Sequence, residues 1–466
     1  MVTTDVSFTI NVQRLIFSLV LIMAANLLSL PVAYGEDLLE VVRLAQENDA
    51  QLQVARQQRD GATEQLPQSL SALLPSADFS ASRSETKQHT YDRDQYATSG
   101  YSLSLNIPAL HMDRIASYRQ AEAGVAGAEH QFLAEEQMLL LRAATHYFDV
   151  LAAADNLTLA QAEAKAVARQ LKLAEEGLKA GTAVITDLQE AQAGADAAQA
   201  QVLAAGNNLQ SSMETLMEVI GPQSKDFVVL PLKSDSILPA PIPEDSDVWV
   251  TMALEKNHSL AMRKAAVTQA EQGVEKSKAG HYPTVDVSVR HMVQDNEASA
   301  IWYGGNQRNE TITAQLNAPI FSGGMTQSRV RQAVHALEEA RKNLEKTVRQ
   351  IQRETRNAFR DWITSLAQVK AFTQSRDSSA SALDSIRASR EVGFRTMLDV
   401  LKGERDFYQA ERNLSNARYG TILASLKLKM SAGVLSVQDL EQINGWLGTS
   451  KHEESAGEND AHEYHD

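Results

Sequence analysis

The chain has 466 residues, of which 43% are hydrophobic and only 6% aromatic, and its formal net charge is -15. This charge excludes an extended nucleic-acid-binding surface, because binding to phosphates requires a basic face. The chain has no cysteine, which excludes disulfides, thiolate metal sites and a lipid anchor on an N-terminal cysteine. Few aromatic residues among many alanines, glutamines, glutamates and leucines predict a mainly α-helical protein.

The first 35 residues have the pattern of a secretory signal peptide. Arg14 precedes an apolar run from Leu15 to Leu30, and the small-residue cleavage sequence "AYG" follows at 33–35. We expect the mature chain to begin near Glu36. An uncleaved membrane anchor is the alternative, although the run is short for a span of about 20 residues.

The remainder of the chain consists of two similar halves. "LAQENDAQL" at 44–52 matches "MALEKNHSL" at 252–260, and 252 minus 44 is 208. A repeat this long indicates a duplicated half-molecule. The predicted units are a first repeat (36–220), a proline-rich linker (221–247), a second repeat (248–432), a C-terminal segment (433–448) and an acidic, disordered tail (449–466).

Each repeat is predicted to contain one β-hairpin. Helical patterns from Asp37 to about Leu73 and from Ser246 to about Gly280 change there to a period of two. The alternation predicts hairpins at 75–108 and 283–319, with polar segments at 85–100 and 294–310 as exposed loops. The predicted junctions between strands and helices are the prolines Pro75, Pro108, Pro283 and Pro319.

Strands with one apolar and one polar face fit two kinds of structure. A small sandwich would bury the apolar faces, whereas an outer-membrane β-barrel would turn them to lipid. The polar faces carry Asp78, Ser80, Asp286 and Arg290, which suit a water-filled lumen. Four strands are too few to close a barrel, so the barrel interpretation requires several copies of the chain.

Two very long helical patterns follow the hairpins, from Met112 to Ala180 and from Gln327 to Val392. At about 1.5 Å per residue the first would be roughly 100 Å long. Neither run is apolar enough to cross a bilayer as a helix, so we expect antiparallel coiled coils. The predicted molecule is a rod rather than a globule.

Both long runs end at a turn of the same pattern, "AGTAVITD" and "VGFRTMLD". Each turn has a glycine, Gly181 or Gly393, that can take the positive φ with which helices often end. Thr186 with Gln189 is predicted to form a capping box that starts the next helix. The two aspartates of these turns would also favour helix N-termini through their charge alone.

Over about Asp37 to Leu447, the sequence resembles the TolC family of outer-membrane channel-tunnels. The resemblance rests on the order and spacing of several motifs: "PSADFS" and "YPTVDVS" entering the strands, "NIPAL" and "NAPIFSGG" leaving them, "HYFDVLAA" in the long helix, "AGTAVITD" and "VGFRTMLDVL" at the turns, and "AGVLSVQDLEQIN" after the last helix. No one of these motifs is specific alone.

The resemblance implies a homotrimeric channel-tunnel in which each protomer gives four strands to a barrel in outer-membrane lipid and its helices to a periplasmic tunnel. It also implies an equatorial position for the linker and for 433–448. A periplasmic adaptor (membrane fusion) protein and an inner-membrane transporter of the ABC or RND type would dock at the far end. No reaction, cofactor or metal is implied.

The resemblance further places a gate and a docking surface at the two turns. In the family, the arginine and aspartate that match Arg395 and Asp399 take part in the closed constriction. The expected gate residues are Asp187, Arg390, Arg395, Asp399 and Lys402, and the expected docking residues are Gly181, Thr182, Ile185, Thr186, Gly393, Phe394 and Thr396.

Two of these positions depart from the family pattern. Lys402 stands where some members have a second aspartate, and Arg390 stands where they have a tyrosine. A double ring of carboxylates is therefore not expected. We expect Lys402 to pair with Asp399 of its own or a neighbouring chain if it faces the lumen.

A periplasmic coiled-coil adaptor without a pore is the competing class of function, but it would lack the four alternating strands. Within the channel class, the segment "GVLSVQDLEQIN" and the missing lipidation cysteine favour type I export over drug or metal efflux. No set of nucleophile, base and orienting residue indicates an enzyme. Histidines in the tail, His452, His462 and His465, are interpreted as solvated rather than metal-binding.

Overall fold

The computed structural model describes residues 37–88, 94–221, 229–233, 238–296 and 304–448. The predicted signal peptide and the acidic tail with its histidines therefore lie outside the described residues. Within the described ranges, no helix combines the length and the apolar character needed to cross a bilayer.

The elements follow the same order in both repeats. In chain order they are α1 (Leu38–Asn48), α2 (Ala50–Thr63), α3 (Gln65–Ser71), β1 (Ser76–Gln88), β2 (Asp94–Leu110), α4 (Met112–Lys179), α5 (Ile185–Ile220), α6 (Ser246–Lys256), α7 (His258–Ala279), β3 (Thr284–Asn296), β4 (Gly305–Asn317), α8 (Met325–Glu391), α9 (Met397–Ser431) and α10 (Val437–Asn444). The prediction of long helices with four strands is confirmed.

The helical pattern at the start of each repeat is interrupted, which sequence reasoning missed. Asp49 ends α1 and caps α2, with its carboxylate accepting from the Leu52 amide at 2.7 Å. Asn257 does the same between α6 and α7, accepting from the Leu260 amide at 3.2 Å. Such side chains compete with the helical ladder for backbone amides and so favour a break with a new N-terminus.

The four strands form one antiparallel sheet in the order β1-β2-β3-β4. Its register places Ala77, Leu105, Val289 and Ile312 in one row, and the adjacent row is polar: Asp78, Ser104, Arg290 and Thr311. Because side chains alternate across a strand, the apolar residues of the four strands share one face of the sheet, and this face is apolar over the half nearest the helices. Towards the other end of the strands the same face carries His291, Glu310 and Arg308. In the single chain this face is uncovered, with Phe79 69% and Ile312 77% exposed.

The strands extend further than predicted. β1 continues to Gln88 and β2 begins at Asp94, so most of the predicted loop at 85–100 is strand, and β3 and β4 likewise occupy much of 294–310. Backbone hydrogen bonds continue the ladder without any need for apolar side chains. Pro108 lies inside β2 rather than after it, next to a register shift between Pro108 and Leu110. A proline fits there because a bulge releases it from ladder hydrogen bonding.

The largest core cluster surrounds the middle of α4. Tyr147 and Phe148, at most 1% exposed, pack there with residues of α1, α5, α9 and α10. The linker and the C-terminal segment are held against this cluster, since the Leu230 amide donates to the Tyr147 hydroxyl at 3.1 Å and Leu232 pairs with Leu447. Both repeats therefore contribute to this cluster.

Candidate gate at the helical turns

The first turn (Ala180–Val184) ends α4 with a Schellman motif. The Gly181 amide donates to the Leu178 carbonyl at 3.2 Å, and the Thr182 amide donates to the Gly177 carbonyl at 2.8 Å. Gly181 has φ of 73°, a conformation that glycine adopts without steric cost. The motif satisfies two carbonyls that the end of the helix would otherwise leave unpaired.

The second turn (Val392–Thr396) repeats this geometry. The Gly393 amide donates to the Arg390 carbonyl and the Phe394 amide to the Ser389 carbonyl, both at 2.9 Å. Gly393 has φ of 83°. The duplication therefore extends to the hydrogen bonds of the two turns.

The two turns differ in how the following helix starts. Thr396 and Asp399 form a capping box, in which Asp399 accepts from the Thr396 amide at 3.0 Å and Thr396 accepts from the Asp399 amide at 3.2 Å. In the first turn, Val184 occupies the N-cap and has no side chain that can accept. The predicted box of Thr186 with Gln189 is wrong, because α5 begins at Ile185 and Thr186 is already helical.

Asp399 has two roles at the second turn. Its Oδ2 completes the cap, while its Oδ1 lies 3.8 Å from Nη1 of Arg395, a pair that is largely exposed. The pKa of Asp399 is lowered from 3.8, first by the Thr396 amide and hydroxyl and then by the charges of Arg395 and Lys402. Asp399 is therefore a carboxylate at neutral pH.

The other predicted gate residues lie in different surroundings. Arg390 contacts the buried Met397, with Nη1 2.6 Å from Sδ. Lys402 is exposed and acts on Asp399 through its charge. Among the described residues, neither an ion pair nor a side-chain hydrogen bond is found for Asp187. The structure thus brings Arg395, Asp399 and Lys402 together and leaves Asp187 apart.

Both turns expose apolar side chains. Ile185 is 54% and Phe394 is 86% exposed, and both are predicted docking residues. Three further residues that sequence reasoning did not select are also exposed: Val184, Val392 and Leu398. Their signal in the sequence was a hydrophobic residue next to a turn glycine or N-cap. Such clusters often mark interaction sites.

The two hairpins meet above the turns along a seam between α4 and α9. At its lower end Met397 and Leu401 of α9 pack with Val167 and Ala174 of α4. A side chain at Gly194 of α5 would bring its Cβ to 3.4 Å from both Leu401 and Val167. The apolar end of the seam is therefore closely packed.

Higher up, the seam is polar and largely buried, which sequence reasoning missed. Glu404 is fully buried and accepts from Arg387 of α8 at 3.1 Å and from Gln170 of α4 at 3.3 Å. One step above, Arg412 donates to Glu163 at 3.0 Å. Glu163 and Gln170 are seven residues apart on one face of α4, a spacing that could have indicated a polar contact with another helix.

We expect Val184→Thr to stabilise the start of α5 by about 1 kcal/mol, because it supplies the missing N-cap opposite Asp187. Hydrogen exchange of the amides at 186–188 should slow. Thr396→Val is the matched control and should speed exchange at the start of α9. Unchanged exchange in Val184→Thr together with faster exchange in Thr396→Val would show that Asp187 cannot complete a box.

Comparison with known proteins identifies the family. The family model described as "Outer membrane efflux protein" matches residues 41–222 and 249–434. Outer membrane protein TolC of Vibrio cholerae is 32% identical over 420 residues, which are 90% of this chain and 95% of that protein. The proteases secretion protein PrtF of Dickeya chrysanthemi is 30% identical over 431 residues, 89% of this chain and 92% of that protein.

Solved structures agree with this assignment at the level of the fold. The Campylobacter jejuni CmeC outer membrane channel has a TM-score of 0.76 at 18% identity, covering 89% of this chain and 90% of that one. The open state of the Neisseria gonorrhoeae MtrE outer membrane channel has a TM-score of 0.69 at 19% identity, covering 85% and 89%. The predicted resemblance is confirmed, and a pore-free adaptor is excluded. The chain is an outer-membrane channel protein that belongs to the outer membrane efflux protein family.

Proposed function

We propose that three copies of this chain form a passive exit duct, with a joint β-barrel in the outer membrane and a helical tunnel below it. The observation that carries this proposal is the four-stranded sheet, whose apolar face is uncovered and whose edge strands β1 and β4 pair on one side only. An open sheet of this kind needs lipid on its apolar face and further strands at its edges. Copies of the same sheet supply both edges.

The two turns form the periplasmic mouth of this duct. Their exposed apolar residues, led by Phe394 and Ile185, are the docking surface for a periplasmic adaptor and an inner-membrane transporter. Relatives are named for two kinds of transport, protein secretion and efflux. They are the alkaline protease secretion protein AprF of Pseudomonas aeruginosa, 29% identical, and the outer membrane efflux protein BepC of Brucella suis, 26% identical. The higher identity of AprF and PrtF supports type I protein export with an ABC transporter, and an RND-linked efflux duct is the second candidate.

The gate works by charge at the second turn. Asp399 lies next to Arg395 and Lys402 of its own turn and helix, which by themselves join no two helices. In the closed mouth the link is therefore between Asp399 of one copy and a cation of the neighbouring copy. Loss of the carboxylate charge removes this link and favours opening. The duct performs no chemical reaction. The energy for moving cargo through it comes from the inner-membrane transporter.

The test is the single-channel conductance of the purified protein in planar bilayers. We expect Asp399→Asn to conduct more than the wild type, because asparagine keeps the acceptor of the capping box and removes only the charge. Thr396→Val is the control for the cap: it breaks the capping box and keeps the charge, so its conductance should stay close to wild type. Asp187→Asn should also leave conductance unchanged.

Two results would contradict these proposals in different ways. If Thr396→Val raised conductance and Asp399→Asn did not, the helix start rather than the charge would control opening. If the purified protein gave no discrete openings at all, the duct itself would be rejected.

A further inference from the structure

A small cavity lies where the two repeats meet. Its walls come from α4 of the first repeat and from α7, α8 and the end of α9 of the second, and its volume is about 310 Å³. Two hydrogen bonds hold these walls together. The Asn257 side chain donates to the Ser431 carbonyl at 3.0 Å, and the Gln137 side chain donates to the Leu435 carbonyl at 3.1 Å. The cavity is therefore formed within a single chain.

Four side chains that line this cavity carry soft or borderline electron donors: Met138 of α4, His258 and Met262 of α7, and Met430 of α9. Met138, His258 and Met430 are each the direct chain neighbour of a residue in one of those two hydrogen bonds. Met262 lies one turn after His258, so both face the cavity from the same side of α7. Three helices thus bring three thioethers and one imidazole to the same space.

The three methionines line open space rather than fill it. Methionine commonly closes irregular gaps in a core, because its side chain is flexible, and its sulfur is then enclosed. Here Met138 is 44% exposed, and Met262 and Met430 are half-buried around the cavity. Their sulfurs are therefore accessible to a ligand.

His258 is in the form that binds metal ions. Its ring stacks on that of His130 of α4, with 5.8 Å between the ring centroids. The pKa of His258 is lowered from 6.5, first by burial and then by His130, so the imidazole is neutral at pH 7. Its buried Nδ1 has no hydrogen-bond partner within the described part of the chain. A neutral imidazole with an unused nitrogen is a common metal ligand.

The charges around the cavity exclude other kinds of ligand. Its lining includes one cation, Arg263, and one carboxylate, Glu354, both exposed, so neither an anion nor a highly charged cation is favoured. Hard divalent ions need several oxygen ligands, and the described residues contain no group of three histidines or carboxylates that could hold a metal ion. Thioethers with imidazole instead suit a soft ion of low charge.

We propose that this cavity binds one soft monovalent metal ion, Cu⁺ or Ag⁺, through the sulfurs of Met138, Met262 and Met430 and a ring nitrogen of His258. All four ligands are neutral, so the occupied site carries a single positive charge, which costs less to bury than the charge of a divalent ion. The ion joins α4 of the first repeat to α7 and α9 of the second. A ligand that binds only the folded chain stabilises it, so the ion should raise the Tm.

The test is a titration of the purified full-length protein with Ag⁺ in a chloride-free nitrate buffer, followed by calorimetry and by the Tm. We expect one Ag⁺ per chain to bind more tightly than any other. A triple variant carrying Met138→Leu, Met262→Leu and Met430→Leu keeps the side-chain volumes. Loss of a single outer contact of a metal ligand weakens binding 10- to 100-fold, so loss of three ligands should weaken it by about 100-fold or more.

The matched control carries Met112→Leu and Met325→Leu, which replace two methionines outside the cavity that are 42% and 53% exposed. Its tight Ag⁺ binding should equal that of the wild type. A second readout is the NMR spectrum of methionine methyl groups, in which Ag⁺ should shift the three signals that the triple variant lacks. If the triple variant does not fold, His258→Gln decides, and it should bind Ag⁺ about 10-fold or more weakly.

Three results would overturn the proposal. Tight Ag⁺ binding could be unchanged in the triple variant. It could be lost in His130→Gln and kept in the triple variant, which would assign the ion to the two stacked rings. Zn²⁺ could bind to the same residues as tightly as Ag⁺, which would exclude a preference for soft ions. None of these results would affect the proposed duct, because the triple variant without metal should give the same single-channel conductance as the wild type.

Discussion

Replacing Gly433 by alanine is expected to lower the Tm of the purified protein far more than the same change at other glycines with positive φ. Gly433 has φ of 72°, and a Cβ at this position would lie 2.6 Å from the backbone carbonyl of Lys256 and 2.7 Å from Cα of Asn257. Strain in the left-handed region and overlap with fixed backbone atoms add up to about 3 kcal/mol or more. The end of α9 would have to move away from the break between α6 and α7.

Gly181 and Gly393 are the matched controls for this change. Both have positive φ, but a Cβ added at either position would meet no atom within 4 Å. Alanine there should cost only the conformational strain of about 1–2 kcal/mol. Equal Tm losses at all three positions would show that the close approach at Gly433 relaxes without cost.

Arg412→Met is expected to destabilise the seam between α4 and α9 and to raise the open probability of the channel. The side chains of Arg412 and Glu163 are only 13% and 11% exposed. Removing the cation leaves Glu163 without its partner in a poorly hydrated place, which we expect to cost about 3 kcal/mol, the lower end for a buried pair because both side chains keep some exposure. Because this seam joins the two hairpins of a chain, its loss frees the second hairpin to move.

The double variant Arg412→Met with Glu163→Met distinguishes the missing partner from lost packing. Two apolar side chains in place of a buried ion pair are often neutral or stabilising, so we expect the Tm to recover most of the loss. Arg341→Met, which removes two pairs at about half exposure, with Glu338 and with Glu271, should change stability by less than about 1 kcal/mol. If the Tm loss of the double variant equalled the sum of the losses of Arg412→Met and Glu163→Met, the ion pair would not explain the destabilisation.

Much of the architecture could be predicted because it depends on patterns of residues that are close together in the sequence. The long helices follow from uninterrupted helical periodicity, and both turns follow from a glycine six residues before an aspartate. The duplication itself follows from a constant offset between matching segments. Each of these signals lies within a few residues of the element that it specifies.

The remaining features depend on hydrogen bonds whose donors or acceptors the pattern does not reveal. The hydroxyl of Thr186 predicts the N-cap of α5 from the sequence, but the Schellman geometry at Gly181 places Val184 at that position instead. Strands β1 and β2 continue through polar residues because the ladder is made by the backbone. The buried position of Glu404 depends on helices far apart in the chain.

The length of the strands has a consequence for where the duct ends. Thirteen residues of β3 at about 3.3 Å each and a tilt of about 40° rise roughly 33 Å, whereas the lipid-facing band of such barrels is about 25 Å tall. The surplus falls at the polar end, Asp295 and Asn296 of β3 and Gly305 to Gln307 of β4, where the side chains suit water. With its headgroups a bilayer is about 40–45 Å thick, so this polar end of the strands lies at the level of the headgroups. Cargo would therefore pass a hydrophilic rim, and not lipid tails, as it leaves the strands.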